Sequence, residues 1–309
     1  MTSHFSIIIP NWNGEDLIVR CVSSLLLSAR TYGKDFECIV VDDASTDNSC
    51  EILKKTFPEI RLIRNEQNRG FGYSVNRGME ASGAPIAILA NNDIVAREDF
   101  IPSLLKPFEG KDSERLFGVS AKTVNWTDGA PNHLNMTAHF AKGLVNLDYE
   151  DSQVACSTLF LQGGACALRR DAFLELGAFS PLYHPGYWED YDLSYRAAKM
   201  GYRMIYEPRA LAYHLGKGSL LKVLGKEGIS GLTIRNQFYF TWLNITDGWL
   251  LAGHFLLLPF HLLGEMISGK PLKLTRGFLK AAPHFSRVLK ERKRRRIKAS
   301  VSDRTLLKF

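Results

Sequence analysis

The sequence predicts an α/β fold, a doubly wound and mainly parallel sheet followed by a helical extension, on three observations. Apolar β-branched runs alternate with stretches of helical periodicity through the first hundred residues. Two of these runs end abruptly in polar clusters, Asp42-Asp43 and Asn91-Asn92-Asp93, at the carboxyl ends where such sheets form their ligand crevice. The chain is 309 residues long, 45% hydrophobic and 23% charged, enough for one large domain plus an appendage, and too apolar for intrinsic disorder.

In chain order, residues 5–10 (FSIIIP) read as the first strand and 37–41 (ECIVV) as the second, with Leu17, Val22, Leu25 and Leu26 placing a helix over 16–29 between them. A second helix is predicted over 47–57, started by Ser45 or Asp47 and stopped by Pro58, then a third strand at 60–64. A helix over 73–82 and a strand at 86–89 complete the alternating half. From 126 to 153 the polar pattern predicts strands and loops around an acceptor cleft. QGGACALRR (162–170) then leads into a short helix, and WEDYDLSYRAAKMG into another that ends at Gly201. Residues 203–207 are predicted as the last core strand, leading to His214.

The composition changes near residue 231, which divides the chain into a domain over 1–230 and an extension over 231–309. Residues 249–263 are apolar but interrupted by two histidines, a glycine and a proline. Fifteen residues fall short of the roughly 20 needed to span a bilayer, so an interfacial or re-entrant segment is preferred over a packed helical subdomain. Of 39 Lys/Arg and 32 Asp/Glu, 14 and 2 fall in 270–309, a net of +12, leaving 25 against 30, a net of −5, for the rest. A mildly acidic domain with a basic tail (KERKRRRIK, 290–298) argues against a nucleic-acid partner and for contact with an anionic membrane surface. The opening MTSHFSIIIPNWNG has no secretory pattern, and five scattered cysteines suit a reducing compartment. The expected location is therefore cytoplasmic, peripheral on the cytoplasmic face of the membrane.

The first strand-to-helix turn, PNWNGED, lacks G-x-G-x-x-G, which disfavours a dinucleotide-dependent dehydrogenase. Gly264 to Lys270 fits G-x-x-x-x-G-K, but Pro271 stands where a P-loop needs Ser or Thr. The crevice offers carboxylates at three places: Asp42 and Asp43, Asp93, and Glu189, Asp190 and Asp192. Such a site binds an anionic substrate only through a hard divalent cation, so it points to a metal-bridged nucleoside diphosphate. The competing reading of these residues is as turn and cap residues.

These residues resemble a family, the inverting nucleotide-sugar glycosyltransferases of family 2 with the GT-A fold, over roughly residues 5–216. FSIIIPNWNG resembles the family's first strand and base-binding loop, which assigns nucleotide contacts to Pro10, Asn11 and Asn13. VVDDASTD is similar to the segment that contacts the base and ribose, through Asp42 or Asp43. NRGFGYSVNRG (68–78) is similar to the pattern of rhamnosyltransferase-like members and adds Arg69 and Gly70. LANND resembles the D-x-D position with Asn91 in place of its first Asp, leaving Asp93 as its only carboxylate. YHLGKGS resembles the segment supplying a metal-binding histidine, His214.

WEDYDLSYR resembles the acceptor-side E-D motif, which implies Asp190 as base and Glu189 as a guide for acceptor hydroxyls. Asn91, Asn92, Gly163, Gly164 and Trp188 are implied around the sugars, with Trp188 stacking on a ring. The start of a helix is expected to keep Asp190 ionised. The resemblance implies an inverting transferase dependent on Mg or Mn. Its partners would be a nucleotide-sugar donor, with deoxythymidine diphosphate rhamnose the first candidate, and a glycan or polyprenyl-linked glycan acceptor in cell-surface polysaccharide synthesis. A catalytically silent nucleotide-sugar-binding or scaffold protein on the same fold is the alternative that Asn91 leaves open.

Overall fold

Strand β1 (Phe5–Asn11) sets the layering: Phe5, Ile7 and Ile9 enter the core on one face of the sheet and Ile8 enters the core on the other. That period of two, with both faces apolar, is what a strand covered on both sides requires. The computed structural model describes residues 3–216, 219–268, 271–295 and 299–307. Helix α1 (Ile18–Tyr32) buries Ile18, Cys21, Val22, Leu25 and Ala29 and stops at Gly33, whose φ of 72° suits a glycine cap. Strands β2 (Phe36–Asp42) and β3 (Arg61–Arg64) flank helix α2 (Ser49–Thr56), and β1, β2 and β3 pair in parallel with Asn11 beside Asp42. Helix α3 (Phe71–Ala81) lies close on β1 because residue 78 is glycine; a Cβ there would stand 2.5 Å from Ile8. Strand β4 (Ile86–Ala90) pairs in parallel with the other edge of β1.

Beyond β4 the sheet becomes mixed. Strand β5 (Ile94–Ala96), helix α4 (Phe100–Leu105), β6 (Leu116–Asn125), β7 (Pro131–His133), β8 (Asn135–Ala141), β9 (Leu144–Glu150), β10 (Cys156–Ser157), β11 (Ala165–Arg169) and α5 (Arg170–Glu175) follow in order. Helix α6 (Glu189–Lys199) and β12 (Arg203–His214) come next. Among the described residues, ten strands form one sheet along β10-β12-β6-β11-β4-β1-β2-β3, with β5 on β12 and β7 on β6; β11 is antiparallel to β4 and β6. Strand β12 is longer than residues 203–207: a register shift after Glu207 lets it resume at Leu211 and carry His214 opposite Ile94.

The segment 126–153 was expected around the cleft, and only β7 reaches it. Strands β8 and β9 form a separate hairpin whose turn leans on the carboxyl-terminal helices, where Gln237 Nε2 donates to Val145 O (2.8 Å) and His254 Nδ1 pairs with Gly143 O (2.6 Å).

Those helices are α7 (Ser219–Asn244, broken at Gly225), α8 (Gly248–Ile267), α9 (Lys273–Ala281), α10 (Phe285–Arg295) and α11 (Asp303–Leu306). The composition change near 231 thus falls inside α7. Phe238, Phe240 and Trp242 of α7 share one core with Phe160, Trp188 and Tyr195 of the sheet domain. Helix α8 buries Leu250, His254 and Leu258 and turns Trp249, Phe260 and Ile267 outward, each more than 70% exposed. At 20 residues it is long and apolar enough to cross a membrane, which corrects the count of fifteen. Past Leu263 it carries Glu265, whose carboxylate caps α9, accepting from Leu274 N (2.9 Å) and Thr275 N (2.8 Å).

The basic run is likewise not a simple outward flank. Arg292 donates to Trp242 O, and Arg295 pairs with buried Asp192 at 2.7 Å. Lys217-Gly218, Gly269-Lys270 and residues 296–298 lie outside the described residues, while Gly264 of the glycine-lysine pattern is helical.

Candidate active site

A cavity of about 640 Å³ opens where β1, β4 and β12 end and α6 begins. It brings together Pro10, Asn11, Asp43 and Gly70 on one wall and Asn91, Asn92, Asp93 and His214 on another. Gly163, Gly164, Trp188, Glu189 and Asp190 close it. Asp42, Asn13 and Arg69 do not line it. Asp42 is fully buried and its oxygens accept from Asn11 Nδ2 (3.0 Å) and Ser45 N (3.0 Å), so of the two aspartates at the end of β2 it is Asp43 that meets the cavity. Asn13 spends its side chain on Thr46 N (2.9 Å), and the Arg69 guanidinium lies over the Tyr73 ring. Asp43 in turn ties down the glycine-rich loop, accepting from Arg69 N (2.9 Å), Gly70 N (2.7 Å) and Asn65 Nδ2 (2.7 Å). Gly70, at φ 84°, is where that loop passes Pro185 too closely for a side chain.

The amide cluster braces the next wall. Asn92 Nδ2 donates to Asn11 Oδ1 (2.8 Å), and Asn91 N donates to Gly164 O (2.8 Å). A Cβ on Gly164 would stand 2.4 Å from the Asn91 amide, so glycine is required there by packing. His214 Nε2 lies 3.2 Å from Asp93 Oδ2, and Gly216 N donates to Nδ1. The Asp93 carboxylate raises the His214 pKa by that hydrogen bond. Asp93 Oδ1 is buried with no hydrogen-bond partner. The unpartnered Asp93 Oδ1 could hold a divalent ion, since a lone buried carboxylate oxygen fits one better than no ligand, and His214 would join it by giving up its Nε2 contact with Asp93. Among the described residues no group of three or more His, Cys, Asp or Glu forms a full metal cage. Diphosphate oxygens and water would complete such a shell.

Sequence reasoning missed His133 and Tyr187, which also line the cavity. Burial pushes His133 down to about 4, so its ring is neutral. The signal for it was lost because β7 sits in a stretch without periodicity.

At the start of α6 the carboxyls of Glu189 and Asp190 are buried together. Asp190 Oδ2 accepts from Gly163 N (3.0 Å) and Oδ1 from Tyr191 N (2.9 Å). Desolvation outweighs these backbone donors and pushes Asp190 up to about 6, so the expectation that the helix start dominates is corrected. Desolvation, then the neighbouring Asp190 charge, pushes Glu189 further, to about 8. Both carboxyls are thus pushed upward by burial, and the pair favours a single negative charge over two. Asp192, in contrast, is held down to about 2; the Arg295 and Arg196 guanidiniums overcome its desolvation, and it faces the protein interior. Trp188 does not offer a free face: it is 4% exposed, with its ring edge-on to Tyr191 and Phe240. Tyr187, 40% exposed, is the aromatic at the mouth.

Comparison with known proteins bears on the family and the fold. GlyG of Streptococcus pneumoniae is 32% identical over 122 residues, 38% of this chain and 39% of its own length, so the match spans well under half of that relative. Succinoglycan biosynthesis protein ExoO of Rhizobium meliloti is 28% identical over 75% of this chain and 66% of its own. An N-acetylglucosaminyl-diphospho-decaprenol L-rhamnosyltransferase of Mycobacterium tuberculosis is 23% identical over 69% of this chain and 76% of its own. Among solved structures, GalNAc-T7 with UDP, GalNAc and Mn2+ superposes with a TM-score of 0.61 at 15% identity, over 97% of this chain and 59% of that one. Staphylococcus aureus TarS 1–349 with UDP superposes at 0.57 and 18% identity, over 94% and 82%. At these identities the likeness is one of fold, the GT-A arrangement of a mixed, mainly parallel sheet. The family model for glycosyl transferase family 2 matches residues 6–177, more than half of the sequence, and the chain belongs to that family.

Proposed function

We propose that the chain transfers a sugar from a nucleoside diphosphate donor to a glycan carried on a polyprenyl lipid, inverting the transferred carbon, in cell-surface polysaccharide synthesis. The observation that carries this reading is the convergence of Asp43, the Asp93–His214 pair and Asp190 on one cavity. Asp43, Pro10 and Asn11 take the nucleoside, and Gly70 admits it by its missing side chain. Asp93 and His214 hold a divalent cation, Mg or Mn, which when bound neutralises charge on the departing diphosphate. Asp190 removes the proton of the acceptor hydroxyl, and Glu189 donates its own proton as a hydrogen bond to a sugar oxygen. Asn91, Asn92, Gly163 and Gly164 shape the sugar's place, and Tyr187 takes the stacking role expected of Trp188.

A lipid-linked acceptor is supported by the name of the mycobacterial relative and a polysaccharide product by that of ExoO. Deoxythymidine diphosphate rhamnose is the first donor to test. A panel of nucleotide sugars with Mn, Mg or EDTA, following acceptor-free release of nucleoside diphosphate, is expected to give metal-dependent release from one donor and none in Asp93→Ala. No release from any donor together with no metal-dependent binding of any nucleoside diphosphate overturns the reading.

The outward apolar face of α8 and the basic residues further along the chain support contact with an anionic membrane surface, which in this proposal is the cytoplasmic one. Replacing Trp249, Phe260 and Ile267 by serine is expected to weaken sedimentation with vesicles containing anionic lipid by about tenfold or more, since each buried large apolar group contributes about 1.5–3 kcal/mol. Unchanged sedimentation would remove α8 as the contact.

A further inference from the structure

One asparagine of α7 grips the loop that leads into the acid pair. Asn236, with no exposed surface, donates from Nδ2 to Gly186 O (2.9 Å) and Tyr187 O (2.7 Å). Its Oδ1 accepts from Arg235 Nε (2.9 Å) and Nη2 (2.7 Å), and Arg235 Nη2 also donates to His184 O (2.8 Å). Two neighbouring side chains of α7 thus hold three carbonyls between residues 184 and 187. At the end of this stretch Tyr187 and Trp188 stand at φ 71° and 75°, in the left-handed region that bulky residues rarely enter. Two such residues in succession persist only where their surroundings over-determine them. Glu189 begins α6 immediately afterwards, so this pair sets the direction of the first turn. The fit there is close: a Cβ on Gly163 would lie 3.1 Å from that of Asp190, and Gly163 N reaches Asp190 Oδ2 at 3.0 Å. A small rotation of the turn separates them.

We infer that Asn236 is a positioning residue for the acid pair: from the carboxyl-terminal helices it holds the Tyr187–Trp188 turn that aims Asp190 and sets Tyr187 at the cavity mouth. The inference rests on the reading of Asp190 as base. It makes the carboxyl-terminal extension a working part of the site. The same helix continues to Trp242, whose Nε1 donates to His254 Nε2 of α8 at 2.8 Å, so the grip and the outward apolar helix share one framework.

The test uses the full chain. Asn236→Asp removes both donors to the loop and keeps an acceptor for Arg235. Amide hydrogen exchange, which needs no ligand, is expected to rise about tenfold or more across residues 184–192 and to hold in the sheet. Acceptor-free release of deoxythymidine diphosphate from its rhamnose conjugate is expected to fall about tenfold or more in kcat, with KM within about twofold. Arg235→Gln is expected to show the same pattern, more weakly. Unchanged exchange over 184–192, or local loosening with wild-type kcat, overturns the inference. If Asn236→Asp loses protection throughout, Arg235→Gln decides by the same two readings. If the wild-type chain releases nucleotide from no donor while residues 184–192 still loosen in the variants, the proposed function has failed and not the grip.

Discussion

Asp190→Asn is expected to lower sugar transfer by about 10²–10⁴-fold while leaving nucleoside diphosphate affinity within about twofold, the range spanned by loss of a positioned general base. The substitution keeps the volume of the side chain and an oxygen for Gly163 N, but an amide cannot take the acceptor's proton. Glu189→Gln supplies the contrast. Burial and the neighbouring Asp190 charge push Glu189 up toward its protonated form, which the amide of glutamine imitates as a hydrogen-bond donor, and a loss of about tenfold or less is expected. Equal losses in the two variants would contradict the division of labour.

The pH dependence follows from the same geometry. A base must be ionised, and burial has pushed Asp190 up to about 6, so kcat/KM falls as the pH drops through about 6 and is flat above it until another group titrates. An ordinary exposed aspartate would place this limb near its model-peptide value of about 3.9. With divalent metal held saturating, so that protonation of His214 does not limit the rate, the profile should lose its acid limb in Asp190→Asn. A limb near 4 in the wild-type protein, or a limb near 6 that survives the substitution, would assign the base elsewhere.

The alternating half of the fold was legible because each element there answers to one local rule. A run such as FSIIIP is buried on both faces, α1 shows its buried stripe at helical spacing, and Gly33 and Gly201 stop helices by their backbone freedom. The crevice was legible for a related reason, since Asp43 and Asp93 must lie at strand ends once the order is parallel. What escaped depends on residues far apart in sequence. Nothing local marks Asp42 as inward and Asp43 as outward; the difference is made by Asn11, one strand away. Trp188 carries no sign that Phe240 will cover it, or Asp190 that burial will outweigh its helix start. In the basic tail the charge was legible but not its placing, because charge counted along a sequence does not tell which guanidinium will meet a buried carboxylate.

That carboxylate is Asp192, and Asp192→Asn is expected to destabilise the fold by about 3–5 kcal/mol, a large part of the roughly 5–15 kcal/mol by which such domains are stable. Asp192 has no exposed surface and accepts from Arg196 Nη2 (2.8 Å), Arg295 Nη1 (2.7 Å) and Asn244 Nδ2 (2.8 Å). An asparagine fills the same space but leaves the buried Arg196 guanidinium without an anion and Arg295 with only its longer contact to Glu291 at 3.4 Å. The ranking of single changes tests this cause. Arg295→Met leaves Asp192 paired with Arg196 and so costs less than Asp192→Asn, whereas breaking the exposed Lys54–Glu51 pair changes nothing measurable. The folded Asp192 is held at about 2, below its unfolded value of about 3.9, so its contribution is present above the unfolded value and is lost as the pH falls toward 2. Urea midpoints measured at pH 7 and again near pH 3 check both statements: the gap between wild-type and Asp192→Asn protein should narrow in acid. A gap independent of pH would mean that shape, and not charge, holds this junction. Because α10 brings Arg295 to the first turn of α6, the residues that fasten the carboxyl-terminal helices to the domain also brace the helix that carries Asp190.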